Sequence, residues 1–225
     1  MYAGLLALRA RGVSPRSAVD AGACTGKWTR LFSSVFPQCV VLMIEPQQRH
    51  LAALREYAAS EPARLKLAQT LVGPPGVNES PFVVLDDESG TGSSVLPENS
   101  DVPRHVEVLS MTTLDKVIES TALPPPDFIK LDVQGYEVEV LKGAAGALRT
   151  AEFVLLESSV RQYNSGSPLL ADVVALMDAA GFRPYDIVDL MRGGDAVLLQ
   201  ADILFVSKRS SLIRDPMSRF NSGAR

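Results

Sequence analysis

Two acidic residues and a glycine turn are spaced along the N-terminal part of the chain as in a nucleoside-binding unit. Asp20 lies at the tip of a short apolar run, Gly22 and Gly26 follow it, and Glu45 ends a second apolar run nineteen residues after Gly26. Glycine lets the backbone turn sharply and lets a ligand lie close against it. A carboxylate that ends the second strand is placed to accept hydrogen bonds from a ribose diol. The spacing predicts a βαβ unit that binds a ligand with an adenosine-like end.

Three ligands suit such a unit, and the residues of the turn distinguish them. A dinucleotide fold has G-x-G-x-x-G, but its later glycine positions hold Cys24 and Lys27 here. A phosphate loop is a closer match, yet Ala21 replaces its first glycine and Trp28 replaces the hydroxyl that would hold magnesium. S-adenosylmethionine carries no phosphate and needs only the tight turn and the two acids. The residues favour S-adenosylmethionine, with a P-loop-type nucleotide-binding protein as an alternative.

A second chemically distinctive segment is Asp127-Phe-Ile-Lys-Leu-Asp132, in which Lys130 interrupts an apolar strand. Alternate residues of a strand share a face, so Lys130 and Asp132 lie on one side near its carboxyl end. A buried lysine is costly unless it is paired, which makes Asp132 its nearest candidate partner, in a structural ion pair or in a functional site. Ligands of open α/β sheets bind outside the carboxyl ends of the strands. We therefore expect Asp132 to face the ligand held by Asp20 and Gly22.

Helix and strand patterns alternate along the chain, which predicts an α/β fold with a mostly parallel sheet. Apolar runs predict strands at residues 17–21, 40–44, 65–71, 128–132, 153–157, 183–188 and 197–206. The last two follow each other without a helix, so we expect the final strand to be antiparallel. Further short strands are predicted at 82–85 and 106–111, and helices at 27–36, 46–59, 113–118 and 169–180.

Composition and charge are those of an ordinary soluble enzyme. At 225 residues and 46% hydrophobic content, the chain is predicted to form one domain over residues 1–225, with a loosely held tail after about residue 208. A net charge of -4 argues against nucleic acid as a partner, and no apolar run approaches the roughly 18 residues of a membrane span. With only Cys24 and Cys39, the chain is predicted to be cytoplasmic. His50 and His105 are isolated, which predicts surface or loop positions.

The segment Leu114-Asp115, followed by Asp127-Phe-Ile-Lys-Leu-Asp-Val-Gln-Gly-Tyr-Glu-Val-Glu-Val-Leu-Lys-Gly143, resembles the signature of FkbM-family methyltransferases. The likeness continues through Tyr163-Asn164, Gly181-Phe182, Asp186-Ile-Val and Ala201-Asp202-Ile-Leu-Phe-Val. It implies a class I methyltransferase fold, which is a Rossmann-like sheet of seven strands in the order 3-2-1-4-5-7-6 with strand 7 antiparallel. It also implies S-adenosyl-L-methionine as cofactor and O-methylation of a hydroxyl on a sugar, lipid or natural product.

Two positions depart from the family pattern. The family usually has Asn where this chain has Cys24, and Glu where it has Gln134. The first change alters a contact in the cofactor loop. The second removes a negative charge beside the expected reaction centre, which leaves a non-catalytic S-adenosylmethionine-binding module as an alternative function.

Methyl transfer to a hydroxyl requires positioning and a base, because the sulfonium already activates the methyl group. Positioning is worth about 7–11 kcal/mol in favourable cases, and a base adds roughly 10²–10⁴-fold. Asp132 is the first candidate for that base and Glu157 is the second, with an ion pair to Arg161 as the structural alternative for Glu157. Lys130 is predicted to orient the acceptor or Asp132.

The predicted site residues form three groups. Those expected to contact the cofactor are Asp20, Gly22, Cys24, Gly26, Glu45 and Asp132. Tyr163 and Asn164 either line the acceptor pocket or lie in a surface loop, and Ser93 and Ser94 belong to a glycine-rich loop that either folds over the cofactor or is simply flexible. No dense cluster of carboxylates or histidines is visible in the sequence, so we predict that no metal is required. The expected partner is a small-molecule hydroxyl acceptor, whose identity a fold resemblance does not transfer.

Overall fold

Strands and helices alternate along the part of the chain that the computed structural model describes, which comprises residues 1–86, 91–97, 101–162 and 164–213. Tyr163, residues 89 and 90 of the glycine-rich loop and most of the predicted loose tail lie outside the described residues. The strands are β1 (Ser17–Ala21), β2 (Val40–Ile44), β3 (Leu65–Ala68), β4 (Leu71–Val72), β5 (Glu79–Leu85), β6 (Arg104–Thr112), β7 (Phe128–Leu131), β8 (Phe153–Ser159), β9 (Phe182–Arg192) and β10 (Leu198–Ser207). The helices are α1 (Tyr2–Ala10), α2 (Lys27–Val35), α3 (Gln48–Ser60), α4 (Leu114–Ser120), α5 (Glu137–Lys142), α6 (Ala145–Thr150) and α7 (Leu170–Ala179).

The main sheet has seven strands in the order β3-β2-β1-β7-β8-β10-β9. Neighbouring strands are parallel except that β10 runs antiparallel to both β8 and β9. When the strands of this sheet alone are counted along the chain, the order is 3-2-1-4-5-7-6 with strand 7 antiparallel, which confirms the predicted fold class. The strand order reverses between β1 and β7, and ligands of open α/β sheets bind at such a point.

Helices cover both faces of the sheet, so its central strands are buried on each side. Every residue of β1 and β7 is buried. Alternate residues enter two separate cores: Val19 and Ile129 belong to one, whereas Ala18 and Phe128 belong to the other. In the second core, Trp28 of α2 stacks on Phe32 with ring centroids 4.7 Å apart. Burial on both faces explains why β1 and β7 are apolar runs that are interrupted at only a few polar positions.

A smaller sheet in the order β4-β6-β5 follows the third strand of the main sheet. The single strand predicted at residues 65–71 is therefore wrong, because the chain leaves the main sheet after β3 and β4 pairs with β6 instead. The strands expected at 82–85 and 106–111 are confirmed and extend further, since β5 and β6 form a long antiparallel pair. Among the described residues, no helix combines the length and apolar character needed to cross a bilayer.

Candidate active site

The turn after β1 packs directly against the end of β7. Gly22 has a φ of 78°, and a Cβ at this position would lie only 1.9 Å from the carbonyl oxygen of Asp132. Any side chain there would push the turn away from β7, so the site requires glycine. Cys24 also has a positive φ, 49°, which is uncommon for a residue other than glycine. At Gly22 and Cys24, the backbone of this turn therefore closely borders a cavity that lies at the carboxyl ends of β1 and β2.

Gly26 supports the same turn from behind. It is the N-cap of α2, its φ is 77°, and an added Cβ would lie 3.0 Å from Leu54 of α3. Its amide donates a hydrogen bond of 2.7 Å to the carbonyl oxygen of Ala23. Gly26 thus shapes the turn and fits α2 against α3, and its predicted contact with the cofactor stays a prediction.

Glu45 follows the last residue of β2 and is held rigidly against the turn. The N–H of Cys24 donates to its Oε2 at 2.8 Å, and the N–H of Gln47 donates to its Oε1 at 2.9 Å. Its side chain is buried yet borders the cavity. Burial raises the pKa of Glu45, and the two backbone hydrogen bonds oppose that rise. Because each carboxylate oxygen has a second lone pair, Glu45 keeps acceptor capacity for a ligand hydroxyl.

Lys130 is the centre of a buried ion network at the junction of β1 and β7. Its Nζ lies 3.0 Å from Oδ1 of Asp20 and 3.3 Å from Oδ2 of Asp132. Asp20 is the register partner of Lys130 across the two strands, and Thr29 donates to its other oxygen at 2.6 Å. The predicted cofactor contact of Asp20 therefore needs correction, since its side chain is 0% exposed and both oxygens are occupied within the core. Asp20 holds Lys130 in place instead.

The charge on Lys130 controls the ionisation of Asp132. Burial alone favours neutral forms, but Asp132 and Asp20 outweigh it and raise the pKa of Lys130, which stays protonated. For Asp132, burial acts upward, whereas the Lys130 charge and the hydrogen bonds with Glu157 and Gln134 act downward and lower the pKa of Asp132 below its usual range. A carboxylate whose pKa is lowered is a weaker proton acceptor. The structure contains the predicted Lys130–Asp132 pair, and the base role of Asp132 stays a prediction that its lowered pKa weakens.

Glu157, at the end of β8, is held by two amides rather than by Arg161. The Nε2 of Gln134 donates both to Oε2 of Glu157, at 2.8 Å, and to Oδ1 of Asp132, at 2.9 Å. The Nε2 of Gln200 donates to Oε1 of Glu157. Burial and the neighbouring charge of Asp132 raise the pKa of Glu157 well above its usual range. Gln134 therefore joins two carboxylates that would otherwise repel each other.

The backbone of Gln134 is held in a left-handed conformation, with a φ of 57°. Such a backbone is strained in a residue other than glycine and persists only when its surroundings hold it. Its carbonyl oxygen accepts a hydrogen bond of 2.8 Å from Ser94 and another from the side-chain amide of Asn164. Ser93 borders the cavity, and its Oγ accepts the N–H of Leu85 at 3.1 Å. Ser94 and Asn164 thus fix the loop that carries Gln134, whereas Ser93 holds the end of β5.

Glu137, to which the sequence analysis assigned no role, supports this loop from the other side. Its carboxylate accepts the N–H of Val133 at 2.9 Å and that of Gly135 at 3.1 Å. Burial raises its pKa to about 7, against the opposing effect of these hydrogen bonds. The signal that identifies it is an acid in the first turn of α5, where it can hold the free amides that precede a helix.

Asp202 is the second residue that the sequence analysis missed. It lies on β10, opposite Glu157 of β8 and opposite Asp189 of β9 in the strand register. Asp132 and Glu157 follow Leu131 and Leu156, the last register pair of β7 and β8. A row of four carboxylates therefore crosses four neighbouring strands. The available signal was an acid within the apolar run Ala201-Asp-Ile-Leu-Phe-Val, the same kind of interruption that identified Lys130.

A cavity of about 590 Å³ connects these features. It extends from Gly22 and Glu45, past Asp132, to Glu157 and Asp202. Its volume lies within the range of roughly 300–1,000 Å³ that is usual for small-molecule sites. Further lining residues that the sequence analysis did not name include Gln47, Thr70, Leu71, Val72, Phe82, Tyr136, Asp189, Leu190, Met191 and Gln200.

Neither histidine belongs to a metal cluster. His50 is buried on α3, with its Nε2 3.7 Å from the sulfur of Cys24, so the surface position predicted for it is wrong. His105 is exposed and lies 2.7 Å from Asp86, as expected for a surface residue. Within the described part of the chain, no three His, Cys, Asp or Glu side chains are grouped so as to hold a metal ion.

Comparison with known proteins identifies the family. The model of the methyltransferase FkbM domain matches residues 20–184, which is more than half of the chain. The chain belongs to the FkbM methyltransferase family. The match begins at Asp20 of β1 and includes Glu45, Asp132 and Glu157, whereas Asp202 lies beyond it. This FkbM methyltransferase therefore carries one part of its cavity outside the matched region.

One curated relative resembles a short part of this FkbM methyltransferase. The hexuronic acid methyltransferase AglP of Haloferax volcanii is 46% identical over 43 residues, which cover 19% of this chain and 18% of AglP. The aligned segment thus spans less than a fifth of that relative. The likeness is local.

Solved structures, among them two methyltransferases, share the fold over most of the chain. The N-methyltransferase NodS of Bradyrhizobium japonicum with S-adenosyl-L-homocysteine has a TM-score of 0.51 at 11% identity, covering 92% of this chain and 85% of NodS. The N-terminal domain of EvdMO1, with SAH and D-fucose present, has a TM-score of 0.53 at 10% identity, covering 92% and 82%. The precorrin-6y C5,15-methyltransferase of Geobacter metallireducens GS-15 has a TM-score of 0.51 at 12% identity, covering 92% and 87%. This FkbM protein thus has the class I methyltransferase fold.

Proposed function

We propose that this enzyme transfers the methyl group of S-adenosylmethionine to a hydroxyl of a small polyhydroxylated molecule without negative charge, with a sugar as the favoured class. The observation that carries the proposal is the continuity of one cavity. It joins a nucleoside-type corner at Gly22 and Glu45 to a row of hydrogen-bonding side chains at Glu157, Gln200 and Asp202.

The cofactor end of the cavity matches the chemistry of an adenosine. Glu45 borders it with a rigid carboxylate, which suits a ribose diol. Leu71 and Val72 provide an apolar wall, which suits a purine ring, and the Gly22 turn lets the ligand lie against the backbone. The bound cofactor supplies an electrophilic methyl group on a positively charged sulfur. The ionised Asp132, at the junction of the two ends, favours that positive charge.

The acceptor end is rich in hydrogen-bonding groups. Glu157, Asp189, Gln200 and Asp202 border it, together with the apolar side chain of Met191. Carboxylates accept hydrogen bonds from hydroxyl groups, and an amide both donates and accepts them. The names of two similar proteins, the hexuronic acid methyltransferase AglP and EvdMO1 in the presence of D-fucose, agree with a sugar acceptor.

The charged residues that line the cavity limit the class of acceptor molecule further. Among the described lining residues, five are carboxylates (Glu45, Asp132, Glu157, Asp189 and Asp202) and none is a lysine or arginine. An anionic sugar would be repelled by the charge of Asp132 and by that of Asp202, which is ionised above about pH 6, because like charges at short range are unfavourable in a partly buried site. A neutral or amino sugar is therefore the expected substrate, in contrast to the hexuronic acid in the name of AglP.

The remaining side chains position the reacting groups. We assign to Lys130 the task of fixing Asp132, and to Gln134 and Gln200 the task of fixing Glu157. Such positioning holds an acceptor oxygen in line with the methyl group, which is worth about 7–11 kcal/mol in favourable cases. Gln134 therefore supports an active enzyme even though its type departs from the usual family residue.

The test is a methyl-transfer assay with isotopically labelled S-adenosylmethionine. The acceptors are para-nitrophenyl glycosides of neutral hexoses, 6-deoxyhexoses, amino sugars and hexuronic acids. We expect a methyl ether of a neutral or amino sugar, formed together with S-adenosylhomocysteine, and at least tenfold weaker turnover of the hexuronides. If the cofactor binds by calorimetry but no compound is methylated, the chain acts as a binding module on this panel. Competition by ATP for the cofactor site would instead indicate a nucleotide-binding protein.

A further inference from the structure

Asp202 differs from the other carboxylates of the cavity in its hydrogen bonding. Asp132 is held by Lys130 and Gln134, and both oxygens of Glu157 accept amide hydrogens. Asp189 accepts the N–H of Leu190 at 2.9 Å. Within the described part of the chain, the Asp202 carboxylate has no hydrogen-bond or ion-pair partner, although it borders the same cavity. Its carboxylate oxygens can therefore accept hydrogen bonds from a molecule bound at this end of the cavity.

The surroundings of Asp202 are those of a proton acceptor that operates near neutral pH. The groups that face it are Asp132 on the β7 side, Glu157 on β8, Asp189 on β9, and the positive charges of Lys130 and the amino terminus. Burial and the Asp132 charge raise the pKa of Asp202 to about 6, while Lys130 and the amino terminus oppose that rise. A general base is most effective when its pKa is close to the operating pH.

We propose that Asp202 is the general base of the reaction, an inference that rests on the proposed function. The acceptor hydroxyl gives its proton to a carboxylate oxygen of Asp202 while its oxygen forms a bond to the methyl carbon. The carbon–sulfur bond breaks, and its electron pair remains on sulfur. The products are a methyl ether, the neutral thioether S-adenosylhomocysteine and a protonated Asp202, which then releases its proton to water. Asp132 contributes charge to this step, and Glu157 contributes position.

The test compares Asp202→Asn with a matched control, Asp186→Asn. Asp186 is an exposed acid on the neighbouring strand β9, and it pairs in register with Leu204. On the best para-nitrophenyl glycoside of the panel, we expect Asp202→Asn to lower kcat by roughly 10²–10⁴-fold. Its dissociation constant for S-adenosylmethionine, measured by calorimetry, stays within twofold of the parent. Asp186→Asn changes neither quantity by more than twofold, and Asp202→Glu recovers at least tenfold over Asp202→Asn.

Two further readouts measure the ionisation of Asp202. The kcat/KM of the parent falls as pH drops below about 6, and Asp202→Asn lacks this acidic limb. In carbon NMR of protein labelled at the aspartate carboxyl carbon, one resonance titrates near pH 6 and is absent from Asp202→Asn. Circular dichroism establishes that the variant is folded.

The outcomes separate this inference from the proposed function. An active parent whose Asp202→Asn variant keeps a kcat within threefold overturns the base role and leaves the methyltransferase function standing. A parent that methylates no compound of the panel overturns the acceptor class and the base role together. An Asp202 resonance that titrates below pH 4 also overturns the base role.

Discussion

Replacing Glu45 with Gln tests the cofactor end of the cavity. In the parent, the two carboxylate oxygens accept the amides of Cys24 and Gln47, each oxygen keeps a further lone pair, and the residue borders the cavity. The replacement keeps the size of the side chain but removes its charge, and it turns one acceptor into an NH₂ group that opposes a backbone N–H. The loss of a charged hydrogen bond costs about 1.5–3 kcal/mol. Since each 1.4 kcal/mol is a factor of ten, the Kd for S-adenosylmethionine is expected to rise roughly 10–150-fold.

The assay is titration calorimetry with S-adenosylmethionine and with S-adenosylhomocysteine. Both ligands carry the same ribose, so both should lose affinity by the same factor. Glu56→Gln, which changes an exposed acid on α3, is the matched control and should bind like the parent. Urea unfolding of the unliganded variant shows whether the turn is still held. A Kd within twofold of the parent refutes the ribose assignment. A large loss for only one of the two ligands refutes it too, because the effect would then arise at the sulfur and not at the ribose.

Three other perturbations have defined outcomes. Asp20→Asn leaves the buried Lys130 without its closest charge partner, which should lower the free energy of unfolding by about 3–5 kcal/mol in urea titration; a loss below about 1 kcal/mol would mean that the pair is not buried as described. Gly22→Ala places a Cβ 1.9 Å from the Asp132 carbonyl, so cofactor affinity should fall at least tenfold by calorimetry, whereas unchanged binding would contradict the tight turn. Excess EDTA should leave methyl transfer within twofold of the untreated rate, and loss of turnover that magnesium restores would show that a metal is required.

The strands at the centre of the sheet were predictable because their signals are local. The bounds predicted for β1 and β2 agree with the structure to the residue, since each is a short apolar run between polar or glycine-containing turns. The prediction of one strand at 65–71 was wrong because the break at Gln69 and Thr70 depends on the pairing of β4 with the distant β6. β9 extends beyond the predicted 183–188 to Arg192 for a similar reason, as its length follows from the hairpin with β10.

The residues of the site also differ in whether a local pattern or a long-range strand pairing determines their position. Glu45 and Gly22 were identified from their spacing, and the structure brings both to one cavity. Alternation along one strand correctly paired Lys130 with Asp132. The stronger partner, Asp20, comes from the register of β1 against β7, a relation between positions 110 residues apart. No local pattern contains that register, so the burial of Asp20 was not predictable.

Two members of the row of carboxylates, Glu157 and Asp202, have raised pKa values, so that their ionisation opposes folding, which argues for a chemical role. Burial and mutual repulsion raise the pKa of Asp202 to about 6, so in the folded state its charge is unfavourable above that pH. Asp202→Asn should therefore stabilise the protein by about 1–3 kcal/mol at pH 7, given 1.36 kcal/mol per pKa unit. The gain should disappear as pH falls through 6 towards 4, because the parent then binds the proton more readily when folded than when unfolded. Urea titrations of parent and variant at pH 7.5 and pH 4.5 measure the difference. A variant less stable than the parent at pH 7.5 would show that Asp202 has a structural partner, whereas a more stable and inactive variant is the combination that a catalytic carboxylate produces.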